Sequence, residues 1–185
     1  LQSKLLPQNM LFHGNNKSSE ELFYALEHGL RIVVDHLAEL GTIKKIAVEH
    51  KFKAKLLFRL RPGIEAHTHD FIKTGHAGSK FGMGESDFMT ALDFVKESTC
   101  LEFLGIHAHI GSQIFDEQPY MVLVEWMGEM AAKIKRMKDL DVQELDLGGG
   151  AGIAYVQEDD PFSIGNFIKS LSEKVKSVWA SHHLS

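Results

Sequence analysis

The sequence contains a single cysteine, Cys100, among its 185 residues. One cysteine excludes a disulfide within the chain and a metal cluster built on several thiolates of one chain. A protein without disulfides is typical of a reducing compartment, so we expect it to be cytoplasmic. Residues 1–10 lack the apolar core and cleavage pattern of a signal peptide. No apolar run reaches the roughly 20 residues that a membrane-spanning helix needs, so we do not expect this chain to be an integral membrane protein.

The sequence has no segment in which charges of one sign are concentrated. Twenty basic and 25 acidic residues give a net charge of −5, and the basic residues form no cluster. We therefore expect no nucleic-acid partner, because such proteins generally carry a concentrated basic surface. Apolar residues make up 44% and charged residues 24%, values that exclude an intrinsically disordered chain. The length is sufficient for one domain, or two at most.

Short apolar runs alternate with longer segments of helical periodicity. Strands are predicted over residues 11–12, 31–35, 55–61, 101–109 and 144–147. Helices are predicted from Ser18, which forms a capping box with Glu21, and then around 37–43, 88–96, 120–138 and 163–180. No hairpin turn joins consecutive strands, so the strands are expected to be parallel and connected by helices. This pattern predicts an α/β fold, either an open doubly wound sheet or a (β/α)8 barrel.

The glycines Gly148, Gly149 and Gly150 directly follow the last predicted strand, and functional residues collect at such strand ends in both architectures. Because glycine has no side chain, backbone N–H groups there can approach and hold a phosphate. The spacing matches neither the dinucleotide-binding fingerprint nor a Walker motif. A tight turn without a ligand is the alternative, and we favour phosphate binding.

His109 lies at the end of the predicted strand 101–109 and is a candidate site residue. Ser112, just beyond it, could offer a hydroxyl to an anion. A buried structural histidine is the alternative for His109. The pairs His67/His69 and His107/His109 share a spacing found in zinc sites, but neither an HExxH motif nor clustered acidic residues accompany them. We therefore expect no metal.

The segment 61–82 is too long for an ordinary crossover, and long structured loops in compact domains are generally functional. Lys80 lies within it. Its ammonium could form a Schiff base, or it could orient neighbouring groups by pairing with a carboxylate. We favour the second role.

Five motifs together closely resemble those of the diaminopimelate decarboxylases, in order and in spacing. They are HGNNKS at 13–18, PGIEAHTH at 62–69, SKFG at 79–82, HAHIGSQI at 107–114 and LGGGAGI at 147–153. These enzymes belong to the pyridoxal-phosphate enzymes with an alanine-racemase-like barrel, as do arginine and ornithine decarboxylases. The resemblance implies a (β/α)8 barrel, pyridoxal 5'-phosphate as cofactor, meso-diaminopimelate as substrate, L-lysine as product, and a homodimer. A decarboxylase of arginine or ornithine, and a non-catalytic module that binds phosphate or the cofactor, are the alternatives.

The resemblance also implies roles for individual residues. His109 matches the histidine that stacks on the pyridine ring of the cofactor, and Ser112 matches the serine that bonds its phosphate. The glycines 148–150 match the loop whose N–H groups hold that phosphate. Arg61 and Lys80 correspond to basic residues near the cofactor.

The sequence departs from the family pattern in three segments. The Schiff-base lysine of the family lies in a Lys-Ala-Asn motif, which does not occur here, so we assign no catalytic residue to this chain. The Glu-Pro-Gly-Arg segment and the C-terminal β-domain are also missing. We therefore expect residues 1–185 to be the central portion of the cofactor-binding barrel, about five strand–helix units, and to be inactive alone. For the basic residue near the cofactor, Arg59 is an alternative to Arg61.

Overall fold

A computed structural model describes residues 4–64 and 80–184. Within these ranges it contains five strands and five α-helices, preceded by a 3-10 turn at Pro7–Asn9. The strands are β1 (Leu11–Phe12), β2 (Arg31–Val34), β3 (Ala54–Arg59), β4 (Leu101–His107) and β5 (Glu144–Asp146). The helices are α1 (Ser19–Glu27), α2 (Leu37–His50), α3 (Glu85–Lys96), α4 (Gln118–Lys138) and α5 (Ile164–Ser181).

The strands follow one another in the sheet in the same order as in the sequence, β1 to β5. The first four pair in parallel, with Leu11 opposite Arg31, and Arg31 opposite Lys55. Each crossover therefore advances one strand in the same direction, as in a barrel, whereas a doubly wound sheet reverses its order at a switch point. The fold is α/β and consists of about five strand–helix units of a (β/α)8 barrel, as predicted.

Contacts divide the described residues into two compact units. The sheet unit comprises residues 4–61, 80–107 and 142–145, and holds β1 to β4 with α1 to α3. The helical unit comprises residues 62–64, 108–141 and 146–184, and holds α4 and α5.

The core of the sheet unit is formed by strands that are buried on both faces. Ile32, Val33 and Val34 of β2 are completely buried, as are Leu56 and Phe58 of β3. Strands covered by helices on their faces need such continuous apolar runs, and β-branched residues pack well there.

The predicted capping box begins α1. The Ser18 hydroxyl accepts a hydrogen bond from the Glu21 N–H at 3.2 Å, and the Glu21 carboxylate accepts one from the Ser18 N–H at 2.8 Å. These two bonds satisfy N–H groups that have no partner inside the helix.

In the helical unit, α4 and α5 pack against each other. Tyr120, Leu123 and Met127 of α4 are buried, and so are Phe167 and Val178 of α5. The three- and four-residue spacing of apolar positions predicted this packing. No helix in the described part of the chain combines the length and the apolar character needed to cross a membrane.

Four strands end earlier than the sequence predicts, β2 and β5 by one residue and β3 and β4 by two. After Arg59 the chain pairs with the segment that precedes α3: Leu60 forms an isolated bridge with Met83, and the Arg61 N–H donates to the Met83 carbonyl at 3.1 Å. Strand β4 ends at His107, so His109 lies in the loop that follows it. His67, His69 and Ser79 of the predicted motifs lie outside the described residues.

Candidate functional site

Polar side chains collect where the strands of the sheet unit end. Asp35 directly follows β2 and is 3% exposed, and Arg59 is the last residue of β3. The Asp35 Oδ1 accepts a hydrogen bond from the Arg59 guanidinium at 3.0 Å, while its Oδ2 accepts one from the Gly82 N–H at 3.2 Å. The guanidinium also lies over the ring of Phe81, 5.0 Å from its centroid. Asp35 therefore holds Arg59 in place at the strand end.

A buried ion pair lies beside this cluster. The Lys17 ammonium is 2.5 Å from the Glu39 carboxylate and also donates to the Gly14 carbonyl. The second oxygen of Glu39 accepts the Asp35 N–H at 2.8 Å. The HGNNKS segment is thereby connected through Glu39 to the end of β2.

The histidine that ends β4 contacts a second histidine. His107 is 3% exposed, and its ring meets that of His13 edge to face, with 4.5 Å between centroids. The HGNNKS segment thus reaches the end of β4 as well. In the described parts of the chain, no group of three or more His, Cys, Asp or Glu residues is arranged to hold a metal ion.

Arg61 and Lys80, the two basic residues predicted near a cofactor, belong to the sheet unit and are both exposed. Arg61 lies beside the start of α3. A Cβ atom placed on Gly84, the residue that precedes this helix, would be 3.1 Å from the Arg61 guanidinium. Arg59, the alternative to Arg61, is 13% exposed and paired with Asp35.

The helical unit brings the other predicted residues together. Gly148 has a φ of +72°, and a Cβ there would lie 2.8 Å from Nδ1 of His109. Gly150 has a φ of +99°, and a Cβ there would lie 2.0 Å from the Gly111 carbonyl oxygen and 3.4 Å from the Cα of Ser112. Only glycine tolerates both the backbone angles and these approaches. The glycine run, His109 and Ser112 therefore form one surface.

Hydrogen bonds fix the conformation of the glycine loop, Gly148–Gly150. The Gly148 N–H donates to Oδ1 of Asp146 at 2.8 Å, and the Gly149 carbonyl accepts from the Tyr120 hydroxyl at 3.1 Å. The Gly150 carbonyl accepts from the Ile114 N–H at 2.9 Å. Within residues 4–64 and 80–184, the N–H groups of Gly149 and Gly150 donate to no acceptor. A rigid loop with two available N–H groups is suited to an anion such as a phosphate.

A cavity of about 360 Å³ also opens beside the glycine loop. It is lined by Tyr120 and by Ile164, Phe167 and Ile168 of α5, along with the loop itself. These side chains are mostly apolar and do not suit a charged group, because an anion needs donors. The two N–H groups, rather than this cavity, therefore offer the donors that an anion needs.

Tyr120 and the Lys17–Glu39 pair were not predicted from the sequence. Tyr120 lies on the apolar side of the predicted helix 120–138, where a tyrosine is indistinguishable from a residue that only fills the core. Its partner, Gly149, is 29 residues further along the chain. Burial raises the pKa of the Tyr120 hydroxyl above its ordinary value of 10.0, so the group stays protonated as a donor at neutral pH.

The chain matches one protein-family model over residues 1–184, described as "Pyridoxal-dependent decarboxylase, pyridoxal binding domain". Diaminopimelate decarboxylase of Bacillus methanolicus is 44% identical over 178 residues, which cover 94% of this chain and 41% of that protein. The enzyme of that name from Synechocystis is 42% identical over 163 residues, covering 86% of this chain and 34% of that protein.

A solved structure agrees with these sequence matches. Diaminopimelate decarboxylase from Helicobacter pylori complexed with L-lysine superimposes with a TM-score of 0.81 at 29% identity, over 93% of this chain and 43% of that one. The chain spans between about a third and two fifths of the length of these relatives.

Proposed function

This chain belongs to the pyridoxal-dependent decarboxylases, and from that premise we propose that it is the phosphate-binding part of an enzyme that converts meso-diaminopimelate to L-lysine and CO₂. The observation that carries the proposal is the glycine loop, whose Gly149 and Gly150 N–H groups face no internal acceptor among the described residues. The diaminopimelate decarboxylase of Bacillus methanolicus shares 44% identity with this chain, which favours meso-diaminopimelate over arginine or ornithine as substrate.

The residues present fit pyridoxal 5'-phosphate. The loop N–H groups would hold the phosphate, with the hydroxyl of Ser112 beside them, and the exposed ring of His109 would stack on the pyridine ring. Arg61 and Lys80 are proposed to lie near the cofactor on the resemblance alone. When bound, the cofactor withdraws the electrons left on the substrate after CO₂ departs.

The protein's own contribution in this part of the enzyme is binding and orientation. Because the loop is already fixed by internal hydrogen bonds, little conformational freedom is lost when a phosphate binds. A homodimer and a cytoplasmic location belong to the same proposal and follow from the family resemblance and from the single cysteine.

The phosphate site is tested by measuring dissociation constants of the chain for pyridoxal phosphate and for pyridoxal, which lacks the phosphate. We expect tighter binding of pyridoxal phosphate by at least about tenfold, because charge-assisted hydrogen bonds to the phosphate are lost with pyridoxal. Equal constants would contradict the proposal.

The substrate is tested by following CO₂ release. No release is expected from the chain alone, because its sequence contains no Lys-Ala-Asn motif. The chain is then combined with the segments of a relative that carry this motif and the Glu-Pro-Gly-Arg motif. We expect this combination to release CO₂ from meso-diaminopimelate and not from arginine or ornithine. Sustained release by the chain alone, or a preference for arginine or ornithine, would contradict this part of the proposal. A combination that binds the cofactor but releases no CO₂ from any substrate would favour a non-catalytic module.

A further inference from the structure

The hydroxyl of Tyr120 has a structural relationship to the glycine loop that core filling does not require. Tyr120 lies in the first turn of α4 and is 2% exposed. Its ring contacts that of Phe167 edge to face, with 4.9 Å between centroids. A phenylalanine would fill the same space and keep this ring contact, so packing alone does not account for the hydroxyl.

The hydroxyl donates to the Gly149 carbonyl at 3.1 Å. In a trans peptide the C=O and the following N–H point in opposite directions, and no cis peptide bond occurs in the described residues. Holding the Gly149 carbonyl toward Tyr120 therefore directs the Gly150 N–H away from Tyr120. On the other side of Gly150, the bond from the Ile114 N–H to its carbonyl fixes the next peptide.

We propose that Tyr120 is a positioning residue, whose hydroxyl orients the Gly149–Gly150 peptide so that the Gly150 N–H is presented to the phosphate of the ligand. The inference rests on the proposed function, because it assigns a role within that same phosphate site. Tyr120 itself does not touch the ligand. It acts through the backbone of the glycine loop.

Glycine residues make such an external bond necessary. Gly148, Gly149 and Gly150 have no side chains that restrict rotation of their peptides, so this loop would otherwise sample many orientations. Without the hydroxyl, the Gly149 carbonyl has no other donor among the described residues, and the peptide can rotate toward water. Loss of the hydroxyl should therefore weaken binding of the phosphate and not binding of the pyridine ring.

The experiment compares three forms of the chain: wild type, Tyr120→Phe, and the control Tyr24→Phe. Tyr24 is a half-exposed tyrosine of α1, in the sheet unit. Dissociation constants for pyridoxal phosphate and pyridoxal are measured for each form, at a temperature where circular dichroism shows all three to be folded. We expect Tyr120→Phe to weaken binding of pyridoxal phosphate about 2- to 10-fold, the range for loss of one neutral hydrogen bond, and to leave pyridoxal binding unchanged. Tyr24→Phe should change neither constant.

The outcomes separate the inference from the proposed function. If the wild-type chain does not prefer pyridoxal phosphate over pyridoxal, the proposed phosphate site is wrong. If it does prefer pyridoxal phosphate and Tyr120→Phe retains the full preference, the site stands and the role of Tyr120 is overturned. An equal loss for both ligands would show that the hydroxyl has only a general structural role, which also overturns the inference.

A second measurement needs no variant. Deprotonating Tyr120 removes its donor, so in the wild-type chain the preference for pyridoxal phosphate over pyridoxal should fall as the pH rises through the pKa of Tyr120, which burial raises above 10.0. A preference that stays constant at a pH where the ultraviolet spectrum shows all three tyrosines of the folded chain ionised would overturn the inference even if Tyr120→Phe cannot be folded.

Discussion

The ammonium of Lys17 lies 2.5 Å from the carboxylate of Glu39, and the two side chains are only 2% and 4% exposed. Burying two charges costs desolvation free energy, which their mutual attraction offsets only while both partners are present. The HGNNKS segment therefore depends on a partner in α2 that lies 22 residues further along the chain.

Replacing Lys17 by methionine should lower the free energy of unfolding by about 3–5 kcal/mol, because the Glu39 carboxylate is left buried and unpaired. The loss is measured by urea denaturation followed by circular dichroism. Lys45→Met, an exposed lysine of α2, is the control and should change stability by less than about 0.5 kcal/mol. A double variant, Lys17→Met with Glu39→Gln, should lose less than the sum of the two single variants. Additive losses would show that the pair is not coupled.

Asp35→Ala should also destabilise the chain, by about 3 kcal/mol, since both oxygens of this buried carboxylate accept hydrogen bonds. One of the bonds lost comes from the Gly82 N–H, so the segment before α3 should become more accessible. Limited proteolysis near Gly82 measures that change. Arg59→Lys, which keeps the charge but not the planar guanidinium, should cost less. Equal stability of Asp35→Ala and wild type would contradict this description of the strand end.

The sequence was sufficient to predict the order of strands and helices, because apolar periodicity and the Ser18 capping box are local signals. The glycine loop could be located in the same way, because three consecutive glycines directly after a strand are themselves a local signal. The end of β4 was placed two residues too far along the chain, at His109. The apolar pattern does not mark this end, because Ala108 and Ile110, which follow β4, are buried like the strand itself. The Lys17–Glu39 and Tyr120–Gly149 contacts join residues 22 and 29 positions apart, and no local pattern encodes them.

Gly150→Ala should abolish the preference for pyridoxal phosphate over pyridoxal. The added Cβ would lie 2.0 Å from the Gly111 carbonyl oxygen, at a φ of +99°, so the loop must move. The matched control is Gly41→Ala in α2, where a Cβ meets nothing within 4 Å. That control should leave the preference intact and raise stability by about 0.5–1 kcal/mol, because alanine is the better helix residue. Unchanged dissociation constants in Gly150→Ala would mean that the phosphate is held elsewhere.

Stability should depend on the protonation of Tyr120 at high pH. Its pKa is raised above 10.0 by burial, so between the unfolded pKa and the folded pKa the folded state binds more protons than the unfolded state. The stabilisation is fully present below about pH 10 and is lost as the pH rises through the folded pKa. Urea midpoints of wild type and Tyr120→Phe, measured from about pH 8 to about pH 11, should therefore approach each other at high pH. A constant difference would contradict the burial of this hydroxyl.

The central claim, that the glycine loop holds the cofactor phosphate through its backbone, is tested most directly by nuclear magnetic resonance of the ¹⁵N-labelled chain. During titration with pyridoxal phosphate, the amide resonances of Gly149 and Gly150 should shift downfield, because both N–H groups gain an acceptor. Those of Gly29 and Gly41, which belong to the sheet unit, should not move. Saturable binding that leaves the Gly149 and Gly150 resonances unshifted would contradict the claim.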